Sequence, residues 1–233
     1  MTSTAGIAFF DFDGTILVKE STRLCAFAGM RNGFITPALA VRIGAAIVAH
    51  KLGLMTRQEL HRICFLVYAD RTPAATTAIV SALNAQVLRR WHSAPMLEAI
   101  ARHRARGDEI VIATASARTF VEPAAADLGI VHVIGTEMEM QGEVSTGRVP
   151  YVLDGTHKRD ACVAFATSRG VALGDCWFYT DHIADLPLLE VVGHPVVVGP
   201  HPPLKALARA KGWAIVEHRR APPHVPALPP HRR

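Results

Sequence analysis

The chain is poor in several features that would assign it to a special class. Its four cysteines, Cys25, Cys64, Cys162 and Cys176, form no C-x-x-C pair and have no histidines at zinc-ligand spacing. Neither a zinc-finger site nor a small disulfide framework fits them. Aromatic residues make up only 6% of the chain, too few for the stacking platforms that hold single-stranded nucleic acid. No long uninterrupted apolar run is present. The stretch from Phe34 to Met55 is broken by Arg42, His50 and Lys51, whereas a membrane span needs about 20 predominantly apolar residues; it reads as a buried or cap helix. The first residues carry no basic n-region, and Ile7 to Phe10 is too short for a signal-peptide core. The expectation is a cytoplasmic protein without a membrane span.

What is present describes a folded enzyme-sized chain. It has 233 residues, 50% hydrophobic and 19% charged, the opposite of the composition that keeps a chain disordered. A chain of this length buries about 70% of its unfolded-state surface. The formal charge is +5, yet the basic residues are scattered and part of the surplus sits at Arg219, Arg220, Arg232 and Arg233. No basic stripe interleaved with aromatics exists, so no nucleic-acid partner is expected. A mild attraction for anionic small molecules is the simpler reading.

Periodicity divides the chain. Gly6 to Phe12 is an apolar run closed by acids and Gly14, predicting a buried strand and a loop. From about Glu20 to Trp91 the pattern is helical, with breaks at Gly33, Pro37, Gly53 and Pro73. Met96 to Arg106 is helical and stops at Gly107. Strands are then predicted at Glu109–Ala113, Val131–Ile134, Cys176–Tyr179, Val196–Val198 and Trp213–Val216. Helices are predicted at Ala117–Leu128, His157–Ser168, Ala184–Val192 and Pro203–Lys211, and a small hairpin within Met138–Val149. Strands alternating with helices indicate an α/β protein with a doubly wound parallel sheet. The helical stretch after the first strand is too long for a crossover and reads as an inserted all-helical cap. The predicted division is a core of residues 1–16 plus 92–218, a cap of 17–91 and a Pro-rich flexible tail of 219–233.

Four segments carry chemistry, each near the C-terminal end of a predicted strand, where open α/β sheets bind ligands. Asp11-Phe12-Asp13-Gly14-Thr15 places two acids one residue apart before a glycine. Alternation would point Asp11 and Asp13 to one side; a helix cap or Asx turn is the plain alternative for Asp13. Thr114-Ala115-Ser116 offers a hydroxyl and free N–H groups to an oxyanion, or a helix cap. Lys158 lies just inside a predicted helix start, unfavourable for the helix dipole and suggestive of an anionic partner. Tyr179-Thr180-Asp181-His182-Ile183-Ala184-Asp185 supplies two more acids, which could equally cap the next helix.

In order and texture these segments, with the hairpin Gln141–Arg148 and the run Asp185-Leu-Pro-Leu-Leu-Glu, resemble the haloacid dehalogenase superfamily, in particular its phosphoserine-phosphatase-like hydrolases. The resemblance covers Ile7 to about Val216 and implies a Rossmann-like core with a helical cap. It implies Mg²⁺-dependent hydrolysis of a small-molecule phosphomonoester, with Asp11 as nucleophile and Asp13 as general acid and base. Gly14, Thr114, Ala115 and Lys158 would bind the phosphoryl group. Asp11, the Asp13 carbonyl and Asp181 would hold Mg²⁺, and Asp185 would order Lys158 or a metal-bound water. Asp13 favours a phosphatase over a dehalogenase, which lacks an acid there.

Two positions depart from the family pattern. His182 stands where relatives carry a small residue, and Ala184 where many carry Asn or Ser. Glu20 occupies the place at which phosphoserine phosphatases meet the substrate ammonium, suggesting an amino-bearing substrate such as phosphoserine or histidinol phosphate; otherwise it is a first-turn acid. Arg23, Arg57 or Arg62 would meet a substrate carboxylate. Two other classes remain open: a phosphoryl transferase or mutase on the same machinery, and a non-enzymatic phosphate- or lipid-surface-binding regulator. The oligomeric state is not legible.

Overall fold

The computed structural model describes residues 5–199 and 201–221. A six-stranded parallel sheet is built from β1 (Ile7–Phe10), β2 (Glu109–Ala117), β3 (His132–Thr136), β6 (Cys176–Thr180), β7 (His194–Val198) and β8 (Ala214–Val216), in the order β3-β2-β1-β6-β7-β8. All its neighbours pair in parallel. β1 lies inside the sheet and is covered on both faces, which is why Ile7-Ala-Phe-Phe is apolar without alternation. Ala8, Phe10 and Ile112 face one core, packed by α5 (Ala94–Arg106) and α6 (Arg118–Asp127). Ile7, Phe9, Val111 and Phe178 face the other, packed by α7 (Gly155–Ser168), α8 (Leu186–Leu189) and α9 (Pro202–Lys211).

Between β1 and α5 the chain forms α1 (Ser21–Arg31), α2 (Pro37–Lys51), α3 (Arg57–Phe65) and α4 (Pro73–Gln86). Each start after the first is written locally. Thr36 and Thr72 cap the helices whose first residues are Pro37 and Pro73, and Thr56 forms a capping box with Glu59. The two strands linking this helical insertion to the sheet lie side by side through a bridge of Leu17 with His92. The hairpin of β4 (Met140–Gln141) and β5 (Val144–Ser145) reaches back to the insertion, where Ser145 bridges Arg71.

Three expectations are corrected. β2 runs on to Ala117 instead of ending at Ala113, with a register shift against β3 between those residues. The helix predicted over Ala184–Val192 shrinks to α8 and a preceding 3₁₀ turn at Ile183–Asp185. Arg219–Ala221, assigned to the tail, are tied to the core, with Ala94 N donating to Arg219 O and Ala221 N to His92 O. Residues 222–233 lie outside the described residues. No described helix is long and apolar enough to cross a membrane.

Candidate active site

The strand order reverses its direction of growth between β1 and β6, and a crevice opens at such a switch point beyond the C-terminal strand ends. Asp11 follows β1 and Asp181 follows β6, so the two carboxylates flank it. Asp11 N donates to Tyr179 O at 2.8 Å, continuing the sheet ladder by one residue before the chain bends. Gly14 makes that bend at φ +70°, and a Cβ there would collide with the Asp181 carboxylate. Glycine is required by backbone and neighbour alike.

Asp11 is 6% exposed, and its Oδ1 accepts from Phe12 N at 2.8 Å. Lys158, only 1% exposed, places Nζ 3.3 Å from Asp11 Oδ2 and 2.8 Å from Asp185 Oδ2. Burial alone would neutralise this lysine. The Asp11 and Asp185 charges outweigh that penalty and hold it above the ordinary lysine range. Asp185 Oδ2 also accepts from Thr180 Oγ1 at 2.7 Å, which fixes the carboxylate that fixes the lysine. Burial raises Asp11 above the usual carboxylate range against the opposing pull of Lys158. Asp181 is pushed up to about 8 by burial first and then by Asp11 and Glu20.

Asp13 meets the start of the first inserted helix, one of the alternatives read from the sequence, and also a residue of β2. Its Oδ1 accepts from Ser21 N at 2.5 Å, capping α1, and its Oδ2 accepts from Ser116 Oγ at 2.6 Å. The site loop is thereby tied to the inserted helices on one side and to β2 on the other. Asp13 itself has an extended backbone but follows Phe12 in a tight turn, so strand alternation does not carry past Phe10. Thr114 Oγ1 accepts from Ser116 N at 3.1 Å. The Ala115 carbonyl is held by Thr136 Oγ1 at 2.7 Å, where β2 slips register against β3.

Glu20 occupies the position before α1, yet its side chain makes no cap bond, because Asp13 has taken that role. Its carboxyl lies at the pocket edge and is raised by partial desolvation and Asp13, with Arg57 and Arg23 opposing. Of the three arginines considered, Arg57 lines the pocket with Asp11 and Asp181. Arg23 lines the adjoining cleft, and Arg62 lies with Arg42 and Arg148 on another face. His182 is half-buried against Arg57 and accepts from Ala184 N at 3.0 Å; burial and Arg57 push it down to about 4.

Sequence reasoning did not foresee the Ser116–Asp13 bond or the role of His218, whose Nε2 lies 2.8 Å from Gly14 O and whose Nδ1 lies 3.2 Å from Ser93 Oγ. Nothing local marks His218 in the sequence. Ser116 carried a signal, a hydroxyl just past a predicted strand, which was read only as a cap.

Among the described residues, no three His, Cys, Asp or Glu side chains converge as a metal cluster. Two carboxylates, Asp11 and Asp181, line the crevice. This all-oxygen set suits magnesium, which takes one or two carboxylates and completes its shell with water.

An α/β sheet with buried acids at its switch point and a buried lysine beside one of them presents a fixed cation and an acidic set to a ligand at the strand ends. Residues 8–190 match the model of the haloacid dehalogenase-like hydrolase family, and the chain belongs to it. A protein of Mycobacterium tuberculosis named a probable phosphatase is 30% identical over 216 residues, covering 91% of this chain and 75% of its own. A Bordetella pertussis Tohama I protein of unknown function superposes with a TM-score of 0.82 at 28% identity, over 91% of this chain and 99% of that one. A phospho-aspartyl intermediate analogue of phosphoserine phosphatase superposes at 0.66 and 16% identity, over 94% and 95%; that likeness is one of fold. The chain is a hydrolase of the phosphatase type.

Proposed function

We propose that the chain is a Mg²⁺-dependent phosphomonoesterase that works through phosphorylated Asp11. The observation that carries this is the buried ion pair of Asp11 with Lys158 at the switch point, beside an Asp13 whose two oxygens are both held. A carboxylate aimed into a crevice with a fixed cation suits a nucleophile that must approach a dianionic phosphate. Asp11 attacks phosphorus, the P–O bond to the alcohol breaks, and Asp13 delivers the proton to the leaving oxygen. Asp13 then takes a proton from water, whose oxygen attacks the aspartyl phosphate and frees Asp11 and inorganic phosphate. Lys158, Thr114 Oγ1 and the N–H groups near Gly14 and Ala115 hold the phosphoryl oxygens. Asp11, Asp181 and the Asp13 carbonyl would hold Mg²⁺, which supplies the charge that offsets repulsion between nucleophile and phosphate. Asp185 acts through Lys158. In this reading the cap is residues 17–91, standing over a core of 1–16 and 92–218.

Glu20, free of a capping role, is the residue suited to an amine on the substrate. Of the amino-bearing candidates, histidinol phosphate, with its aromatic ring, suits a pocket lined in part by Phe34, Ile43 and Phe65 better than phosphoserine does. The test is phosphate release from an aryl phosphate and a panel of metabolite phosphates, with Mg²⁺ or EDTA, for wild type and Asp11→Asn. Mg²⁺-dependent turnover lost in Asp11→Asn supports the assignment; turnover that survives the substitution overturns it. A phosphoryl transferase would share every residue named, and adding an acceptor alcohol separates the two by product.

A further inference from the structure

The pocket has two walls of opposite character. Its floor is the strand-end machinery of Asp11, Asp13, Thr114 and Asp181. The facing wall from the inserted helices presents Phe34, Ile35, Ile43, Phe65, Val67 and Tyr68. All six are buried, between 4% and 9% exposed. Three are rings packed on one another: Phe34 meets Tyr68 edge-on at 5.5 Å, and Phe65 lies 6.1 Å from Tyr68. This is a fixed apolar surface.

Charge on the cap side is sparse and already spoken for. Arg57 is the single Lys or Arg among the residues described as lining this pocket. It lies against His182 and offsets Glu20. His61 is neutral, pushed down to about 3 by burial and Arg57, and its Nδ1 is buried without a partner among the described residues. A substrate carboxylate would have to share one engaged arginine, and polar surface beyond the reach of Glu20 would lie against five hydrocarbon side chains and the Tyr68 ring. Burying a charge without a dedicated partner is costly, whereas burying hydrocarbon there is favourable.

We infer that the substrate carries its phosphate on a predominantly apolar alcohol, branched-alkyl or aromatic, whose few polar groups are confined to those that Glu20 and the His61 ring nitrogen can meet. The inference rests on the phosphomonoesterase reading above and names the substrate class of that same site. The apolar wall selects the leaving group while the strand-end residues act on the phosphate, so length and shape of the alcohol govern kcat/KM. Phosphoserine, the polar extreme, is a poor substrate.

The test compares ethyl, butyl and hexyl phosphate with phosphoserine in Mg²⁺. The three alcohols have nearly equal acidity, so differences in kcat/KM report how the chain is held. Full burial of each added methylene is expected to raise kcat/KM about fourfold, the equivalent of about 0.8 kcal/mol at 1.36 kcal/mol per tenfold. A hexyl-to-ethyl ratio above tenfold, reduced by Ile43→Thr, supports the inference. A flat series with phosphoserine preferred, while Mg²⁺-dependent turnover persists, overturns it and leaves the phosphatase reading intact. In parallel, calorimetry with ethyl-, butyl- and hexylphosphonate reads binding without turnover. If no phosphomonoester, including the aryl phosphate, is hydrolysed, the phosphatase reading falls. Phosphonate affinity rising with chain length then still supports an apolar phosphate-ligand pocket, and a flat affinity overturns that too.

Discussion

Replacing Lys158 by methionine keeps the length and volume of the side chain and removes only its charge. The residue is 1% exposed and lies between Asp11 and Asp185, so the variant leaves two buried carboxylates without their cation. Breaking a buried pair in this way costs about 3–5 kcal/mol. At about 2–4 °C per kcal/mol for a chain of this size, the melting temperature falls by roughly 6–20 °C. The loss depends on pH in a definite direction. Without the lysine, Asp11 is relieved by taking up a proton that the unfolded chain does not hold at the same pH. Wild-type Asp11, raised to about 7 with the lysine in place, takes up its proton only there. Above about pH 7 the folded variant therefore binds more protons than folded wild type, and the penalty shrinks as pH falls from 8 toward 5, chiefly above 7. The assay is urea unfolding in EDTA at both ends of that range. A loss under about 1 kcal/mol at pH 8, or one that does not change with pH, would refute the argument that the lysine is held by uncompensated acids.

Further outcomes are expected elsewhere. Gly14→Ala forces a left-handed alanine against the Asp181 carboxylate and should cost about 2–4 kcal/mol in urea unfolding, with phosphatase activity lost. Burial pushes His92 down to about 4, and its Nε2 is buried without a partner among the described residues. Below about pH 6.5 the unfolded chain gains a proton at His92 that the folded chain refuses until about pH 4, so this residue's share of the fall in stability across that window is about 3 kcal/mol. His92→Gln should lessen the slope by that share, His61 and His182 still contributing; an unchanged slope would sink the assignment. Asp108→Ala removes a buried acceptor from Gly6 N at 3.0 Å and from His103 Nδ1 at 2.7 Å. It should destabilise by about 2–4 kcal/mol, measured by the unfolding midpoint.

The parts of the molecule written in local spacing were readable from the sequence. Continuous apolar character marks β1, and the breaks read at Pro37 and Pro73 fall at the starts of α2 and α4. Acids placed directly after buried strands marked the crevice at Asp11 and Asp181. What escaped reading depends on partners far along the chain. Ser116 is 103 residues from Asp13, His182 is 125 from Arg57, and His218 is 204 from Gly14; no periodicity links such pairs. The partners of Lys158 escape for the same reason, since only the fold brings Asp11 and Asp185 around it. Composition also does not say which side of α2 is covered: it packs through a stripe of Leu39, Ala40, Ile43, Ala46 and Ile47 and leaves the equally apolar Val41 and Val48 exposed.

The bridge between Leu17 and His92 bears on how the chain finds its fold. β1 must pair with β2 across a large gap, Gly6 and Asp108 being 102 residues apart, and with β6 further still. Closing a loop of that length before any reward is slow. The inserted helices need only local contacts, and once they draw Leu17 beside His92 the gap that remains is roughly a quarter as long. At about 0.6 kcal/mol per doubling, that lowers the closure cost by about 1.2 kcal/mol. The segment that stands over the pocket in the native state thus also acts as a clasp during folding. Weakening its capping threonines should slow the formation of the sheet, in stopped-flow refolding, as well as loosening the insertion itself.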